Sequence, residues 1–277
     1  MGARKTFTNL GDEKLFQRVK TVYEHKNLGK QKLCRECRKD CEEKRASVKS
    51  DPVGPWYIGS KFKQDRYKIL FVGKTGRGDV GDLDGRKLGR KLFLTYETNF
   101  WAYMREITCR LYGVPLEEAI EHIAITNLLK CNSSTEGAGT NSDGSYYDQA
   151  TTVMKTNCIE KLGVFWEELR ILKPRHVVLF TGRTYDSYIK DFPDFPLIRT
   201  FRGKDWKISL KLAGKEMKSV WWTAERGSNG FRLRTLRTYH PQYFLNGEAL
   251  KKEFAVRVLR WVKRHDQTAV HHVRTRL

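Results

Sequence analysis

Ala124-Ile125-Thr126-Asn127-Leu128-Leu129-Lys130-Cys131 is the stretch on which the fold turns. Its first half is a short apolar run of the kind that makes a buried strand, and its second half is the loop that leaves it. On that reading Asn127, whose amide donates and accepts at once, points into a crevice. Cys131, four residues on, faces away toward a metal or cluster. The same residues also suit a core strand closed by an Asn turn with a structural thiol behind it, and the rest of the chain decides between the two.

Upstream, Lys68-Ile-Leu-Phe-Val-Gly73 is another continuous apolar run, the pattern of a strand buried on both faces. The Gly-rich Lys74-Thr-Gly-Arg-Gly-Asp79 follows it. A phosphate-binding P-loop is excluded, because that motif needs glycine where Lys68 stands. Residues 80–96, glycine-rich and charged, read as a long loop over a site. Residues 99–112 place Phe100, Tyr103, Met104, Ile107 and Leu111 on one helical face, with Gly113 and Pro115 as the stop. Cys109 in that helix reads as a buried thiol.

Downstream of Cys131 a polar stretch reads as a loop, and residues 157–172 read as a helix opened by Cys158. Residues 176–182 form a third buried strand ending in glycine. Residues 206–212 and 218–222 suggest a hairpin inserted before a fourth strand, 236–239, which runs into His240-Pro241. Residues 249–263 make a closing helix. Strand and helix in alternation predict an α/β fold: three α/β/α layers around a central, mainly parallel four-stranded sheet. Ligands of such sheets bind at the carboxyl ends of the strands.

Before this body lies an amphipathic helix over residues 12–27 and then Cys34, Cys37 and Cys41. A Cys-x-x-Cys pair turns two sulfurs toward one ion, yet is only half a metal site and equally a redox motif. Turn-rich residues 51–56 mark a junction. The chain thus divides into an N-terminal helical arm with the Cys pair (1–50) packed on the body, an α/β body (51–265) and a basic tail (266–277). His271 and His272, adjacent in that tail, lack the spacing of a chelating pair on a helix.

The formal net charge of +21 over 277 residues, with pI near 9.8, exceeds what solubility requires and points to a polyanion, nucleic acid first. No apolar run reaches about 18 residues and residues 1–30 lack a signal-peptide core. The expectation is a soluble, cytoplasmic monomer without membrane contact. Six cysteines in such a chain suggest metal or redox chemistry over a disulfide framework.

Four features stand in one order: a strand into residues 73–79, a strand into Thr126-Asn127 through Cys131, a helix opened by Cys158, and a strand into Thr238-Tyr239-His240-Pro241-Gln242-Tyr243. Together with Cys34 and Cys37 this set resembles the uracil-DNA glycosylase superfamily, specifically its iron–sulfur family 4 enzymes, over roughly residues 33–263. Arg202-Gly203 also looks like a family feature. The resemblance implies a 4Fe–4S cluster on Cys34, Cys37, Cys131 and Cys158, four thiolates that zinc also fits; Cys41 is a possible substitute ligand. It implies a DNA glycosylase in which His240 hydrogen-bonds the leaving pyrimidine. Asn127 reads the edge of the flipped base, Asp79 positions water, and Tyr243, Phe244 and Leu245 enter the minor groove to fill the gap.

The chain also departs from the family. Where the family carries an acid, a small residue, Pro and Gly, this chain has Lys74, Thr75, Gly76 and Arg77. The family's base-stacking aromatic is missing from Gly85-Arg86-Lys87-Leu88-Gly89, leaving Phe93 or Tyr96 to stack, with Lys74 beside the base. These departures favour a modified pyrimidine, such as the glucosylated hydroxymethylcytosine excised by glycosylases of antiphage defence. The other readings are plain uracil excision in DNA repair and a cluster-bearing nucleic-acid-binding module without catalysis.

Overall fold

The computed structural model describes residues 11–44, 47–48, 56–75, 85–131, 133–134, 150–189, 195–201, 207–212, 215–220, 222–228, 231–238, 240–241 and 248–274. Two helices come first. Helix α1 (Glu13–His25) is capped by the Asp12 carboxylate, which accepts the Leu15 N–H at 3.0 Å. Helix α2 (Lys32–Glu43) turns Cys34, Cys37 and Cys41 inward, as spacings of three and four dictate. Strands β1 (Ser47–Val48) and β2 (Tyr57–Ile58) precede β3 (Ile69–Gly73), and α3 (Gly85–Thr95), α4 (Asn99–Tyr112) and α5 (Leu116–Ala119) lead to β4 (Ile123–Asn127). Beyond β5 (Ser133–Ser134), α6 (Thr152–Lys155) runs into a π-helical turn (Thr156–Lys161), then α7 (Val164–Leu172), β6 (His176–Leu179) and α8 (Asp186–Ile189). The rest is β7 (Leu197–Phe201), the hairpin β8 (Lys207–Leu212) and β9 (Lys215–Val220), β10 (Trp222–Ser228), β11 (Phe231–Arg237) and α9 (Glu248–Arg274).

Among the described residues the main sheet is mixed, with seven strands in the order β2-β4-β3-β6-β11-β10-β7. Its centre, β4-β3-β6-β11, is parallel throughout. These are the four strands expected from the sequence. The expectation of a four-stranded sheet is corrected by antiparallel additions at both sides: β2 on β4, and β10 with β7 beyond β11. The β8–β9 hairpin forms a separate two-stranded sheet.

Alternate residues of the buried strands feed two cores, one on each face. Ile69, Phe71, Ile123, Ile125 and Val178 pack beneath α4 and α9 through Met104, Ile107, Val258 and Trp261. Leu70, Val72, Ala124, Val177 and Leu179 meet α1 and α7 through Leu15, Val19, Phe165 and Leu169. Such an arrangement is the expected three layers, and it includes α1 of the N-terminal arm.

Three further expectations change. Residues 85–95 are a helix, because Leu88 and Leu92 recur at a four-residue spacing that the surrounding charges obscure. The helix expected at 157–172 begins earlier and breaks at Gly163, whose φ of 61° ends the π-helical turn and starts α7. Helix α9 runs to Arg274 and so continues through the boundary read at residue 265. Among the described residues no helix is long and apolar enough to cross a membrane.

Candidate functional site

Strand order reverses around β3: the chain leaves it for β4 on one side and later enters β6 on the other. A crevice opens at the carboxyl ends of strands where connections diverge in this way. Gly73 ends β3 and pairs in register with Asn127, which ends β4. A Cβ at Gly73 would stand 2.3 Å from Asn127 Oδ1 and 3.1 Å from Phe100 Cζ. Glycine is therefore what lets the amide and the phenyl ring close over the strand end. Phe100 in turn lies face to face with His240, centroids 5.4 Å apart and planes 12° from parallel, and edge-on to Phe180 just beyond β6 at 5.7 Å.

The structure thus sets Asn127 and His240, residues separated by more than a hundred positions, each beside Phe100, which the sequence reading placed only on a core-facing helix. Phe93, expected to stack on a base, is 0 % exposed in the core and has no face to offer. Tyr96 is 50 % exposed, its carbonyl held by the Arg105 guanidinium at 2.9 Å. Lys74 sits at the mouth, its ammonium 5.8 Å from the Tyr185 ring centroid. Its carbonyl accepts the Leu129 N–H at 2.9 Å, and Thr75 Oγ1 donates to the Cys131 carbonyl at 2.6 Å, so the loops after β3 and β4 are tied together. Asp79, Tyr243, Phe244, Leu245 and the Arg202-Gly203 pair lie outside the described residues.

Beneath Asn127 a fully buried ion pair fixes the turn. Lys130 Nζ donates to Glu168 Oε2 at 2.6 Å, Thr126 Oγ1 at 3.0 Å and the Asn127 carbonyl at 2.5 Å. Glu168 also accepts from Thr126 Oγ1 at 2.9 Å and from the Tyr23 hydroxyl at 2.6 Å, which links the N-terminal arm to the site. Burial, then the Glu168 charge, holds the Tyr23 phenol well above its ordinary pKa. A sequence signal for this network existed: Glu168 falls on the apolar face of α7 with Phe165 and Leu169, where a charge requires a partner.

Behind the same turn lie four sulfurs. All six cysteines are free thiols. Burial pushes Cys131 well up, and repulsion from Cys158, Cys34 and Cys37 pushes it further. Cys158 is raised to about 11 by burial and by Cys37 and Cys34, against the lowering effect of the Lys130 N–H. The Gly29 N–H donates to Cys34 Sγ at 3.2 Å and Asn157 Nδ2 to Cys37 Sγ at 3.6 Å. Donors aimed at sulfur suit thiolates, which accept far better than thiols. The Cys41 sulfur instead meets Met154 Sδ at 3.2 Å in the core, and Cys109 lies apart on α4. Among the described residues no three His, Cys, Asp or Glu side chains are already drawn together as ligands of one ion.

No protein-family model matches the chain, and no curated protein sequence matches it.

Proposed function

We propose that the chain is a DNA N-glycosylase that flips a pyrimidine from the duplex and hydrolyses its N-glycosidic bond to leave an abasic site. The observation that carries this reading is that Asn127 and Phe100 close over Gly73 at the carboxyl end of the parallel strands while His240 stacks on Phe100. Each has a role the reaction needs. Phe100 supplies an aromatic wall for an unstacked base, and Asn127 reads its polar edge with one donor and one acceptor. His240 donates to the base oxygen on which negative charge gathers as the bond to the sugar breaks, a contribution of about 10²–10³ in rate. Water adds to the sugar carbon, and the departing base takes up a proton.

Cys34, Cys37, Cys131 and Cys158 would hold a 4Fe–4S cluster, or zinc, as a structural tie between the arm and the two loops of the site. The N–H donors at three of these sulfurs support the assignment. The substrate we favour is a modified pyrimidine such as glucosylated hydroxymethylcytosine, since Lys74 stands where the family acid is expected and Phe93 is withdrawn into the core. Abasic-site formation on oligonucleotides carrying uracil, hydroxymethylcytosine or its glucosylated form is the test. Release of uracil alone would replace the modified substrate by ordinary repair. Release of no base would leave a binding module, the reading that Lys74 also suits.

A further inference from the structure

We propose that the end of the sheet opposite the candidate site carries a second phosphate-binding face, built on Lys63, Lys68, Lys173 and Arg175, that holds the backbone of a second nucleic-acid segment. The inference needs only that the chain's polyanion is nucleic acid, and stands whether or not the site performs chemistry.

Lys68 immediately precedes β3 and Arg175 immediately precedes β6, and the Arg175 N–H donates to the Lys68 carbonyl at 3.1 Å. Five residues of β3, about 17 Å of strand, separate this end from Gly73. Lys63, Lys173 and Arg175 are exposed and Lys68 is half-buried, its ammonium 5.6 Å from the Phe62 ring centroid. Among the described residues none of the four has an ion-pair partner. The nearby acid, Asp65, is occupied by the Tyr67 and Lys68 N–H groups, the Tyr112 hydroxyl and the His122 ring.

Two features show that lysine is held here at a cost, one in its charge and one in its backbone. Burial and then repulsion from Arg175, Lys173 and Lys63 lower the Lys68 pKa. Both Lys68 and Lys173 adopt positive φ, 41° and 46°, a conformation that glycine takes without strain and lysine does not. The charged surface continues onto α9, whose Trp261 meets His176 edge-on at 5.3 Å and shares a surface groove with exposed Arg260 and Arg264. Cations spread along an edge match the repeating charge of a nucleic-acid backbone better than one small anion, and each phosphate contact releases counterions.

A bridging assay tests the proposal: the whole protein, bound to an immobilised duplex of about one helical turn, is offered a second, labelled duplex of the same length. The wild type is expected to capture it. The variant K68Q/K173Q/R175Q should still bind the first duplex but capture the second about tenfold less well, its salt slope falling by about 0.9 for each lost contact. Lys68→Gly and Lys173→Gly supply a control of opposite sign, melting higher because strain is relieved while capturing less. Capture by the triple variant at the wild-type level, or no capture by the wild type, overturns the proposal. Catalytically inactive protein answers the same question, so failure of the glycosylase reading is seen separately.

Discussion

Lys130 and Glu168 face each other at 2.6 Å with both side chains 1 % exposed, and the same ammonium holds the carbonyl of Asn127. Removing one partner of a buried pair leaves an uncompensated charge, so Lys130→Met should cost about 3–5 kcal/mol. Glu168→Gln should cost less, since an amide still accepts from Tyr23 or Thr126. The double change Lys130→Met with Glu168→Leu should recover part of the loss, leaving the orphaned hydroxyls as the residual cost. Denaturant unfolding of the three variants checks this; additive losses would mean the pair is not coupled.

Gly73→Ala tests whether close approach at the strand end matters to the site. The added methyl meets Asn127 Oδ1 and Phe100 Cζ, and the amide has to move because Gly73 lies in a strand paired on both sides. The expected result is a folded protein, with thermal midpoint lowered by only a few degrees, in which base release falls about as far as in Asn127→Ala. Wild-type rates in Gly73→Ala would remove Asn127 from the recognition step.

Phe100 and Phe93 should separate function from stability. Phe93→Ala empties a fully buried position and should cost about 3–5 kcal/mol. Phe100→Ala, partly buried beside His240, should cost much less stability and slow base release, since it removes the wall and lets the imidazole turn. Single-turnover rates set beside melting curves distinguish them. The reverse pattern would restore Phe93 as the stacking residue.

What the sequence made legible follows from burial. Three of the parallel strands, β3, β4 and β6, are short apolar runs because both their faces are covered, and α4 begins and ends where its pattern and Gly113 place it. Strand β11 begins five residues before the expected start, since Phe231-Arg-Leu-Arg-Thr-Leu alternates and its arginines hide the strand. Helix α3 was hidden in the same way by Arg86, Lys87, Arg90 and Lys91. Asn127, His240 and the cysteine set stood out in the sequence because they lie in motifs. Phe100 did not, because a phenylalanine on a helix becomes informative only when the fold says what it touches, and Glu168 gave its signal only through the apolar face on which it falls.

Cys41 and Cys158 should behave differently despite similar thiols. If the proposed cluster forms, anaerobically purified protein should be brown; Cys158→Ala should bleach it, while Cys41→Ala should keep the colour, because the Cys41 sulfur turns to Met154. Cys41 should instead appear in the pH dependence of stability. Burial, then Asp40 and Cys37, raises its thiol from 9.0 to about 11. A raised folded pKa favours the protonated form, so this contribution is complete below the unfolded value and is lost as pH rises from about 9 to about 11. Melting curves of wild type and Cys41→Ala across that window should converge; parallel curves would mean the thiol does not titrate with unfolding.

On the proposed function, Asn127 and His240 should divide recognition from chemistry. If binding rests on phosphate contacts, as proposed, neither His240→Ala nor Asn127→Ala should change duplex affinity by more than a few-fold. His240→Ala should slow base release by about 10²–10³, the loss expected when one preorganised donor to a developing anion is removed. Asn127→Ala should also slow it and blur the choice between bases, because a polar group left unpaired by the wrong base is what rejects it. Single-turnover release from oligonucleotides carrying uracil, hydroxymethylcytosine and its glucosylated form measures both effects. Asp79→Asn belongs in the same series: a large loss makes it the water-positioning group in spite of Lys74, and a small one leaves catalysis to leaving-group stabilisation. If His240→Ala and Asn127→Ala both keep wild-type rates on the best substrate, the placing of these residues beside Phe100 has another purpose, and binding without catalysis takes the place of the glycosylase reading.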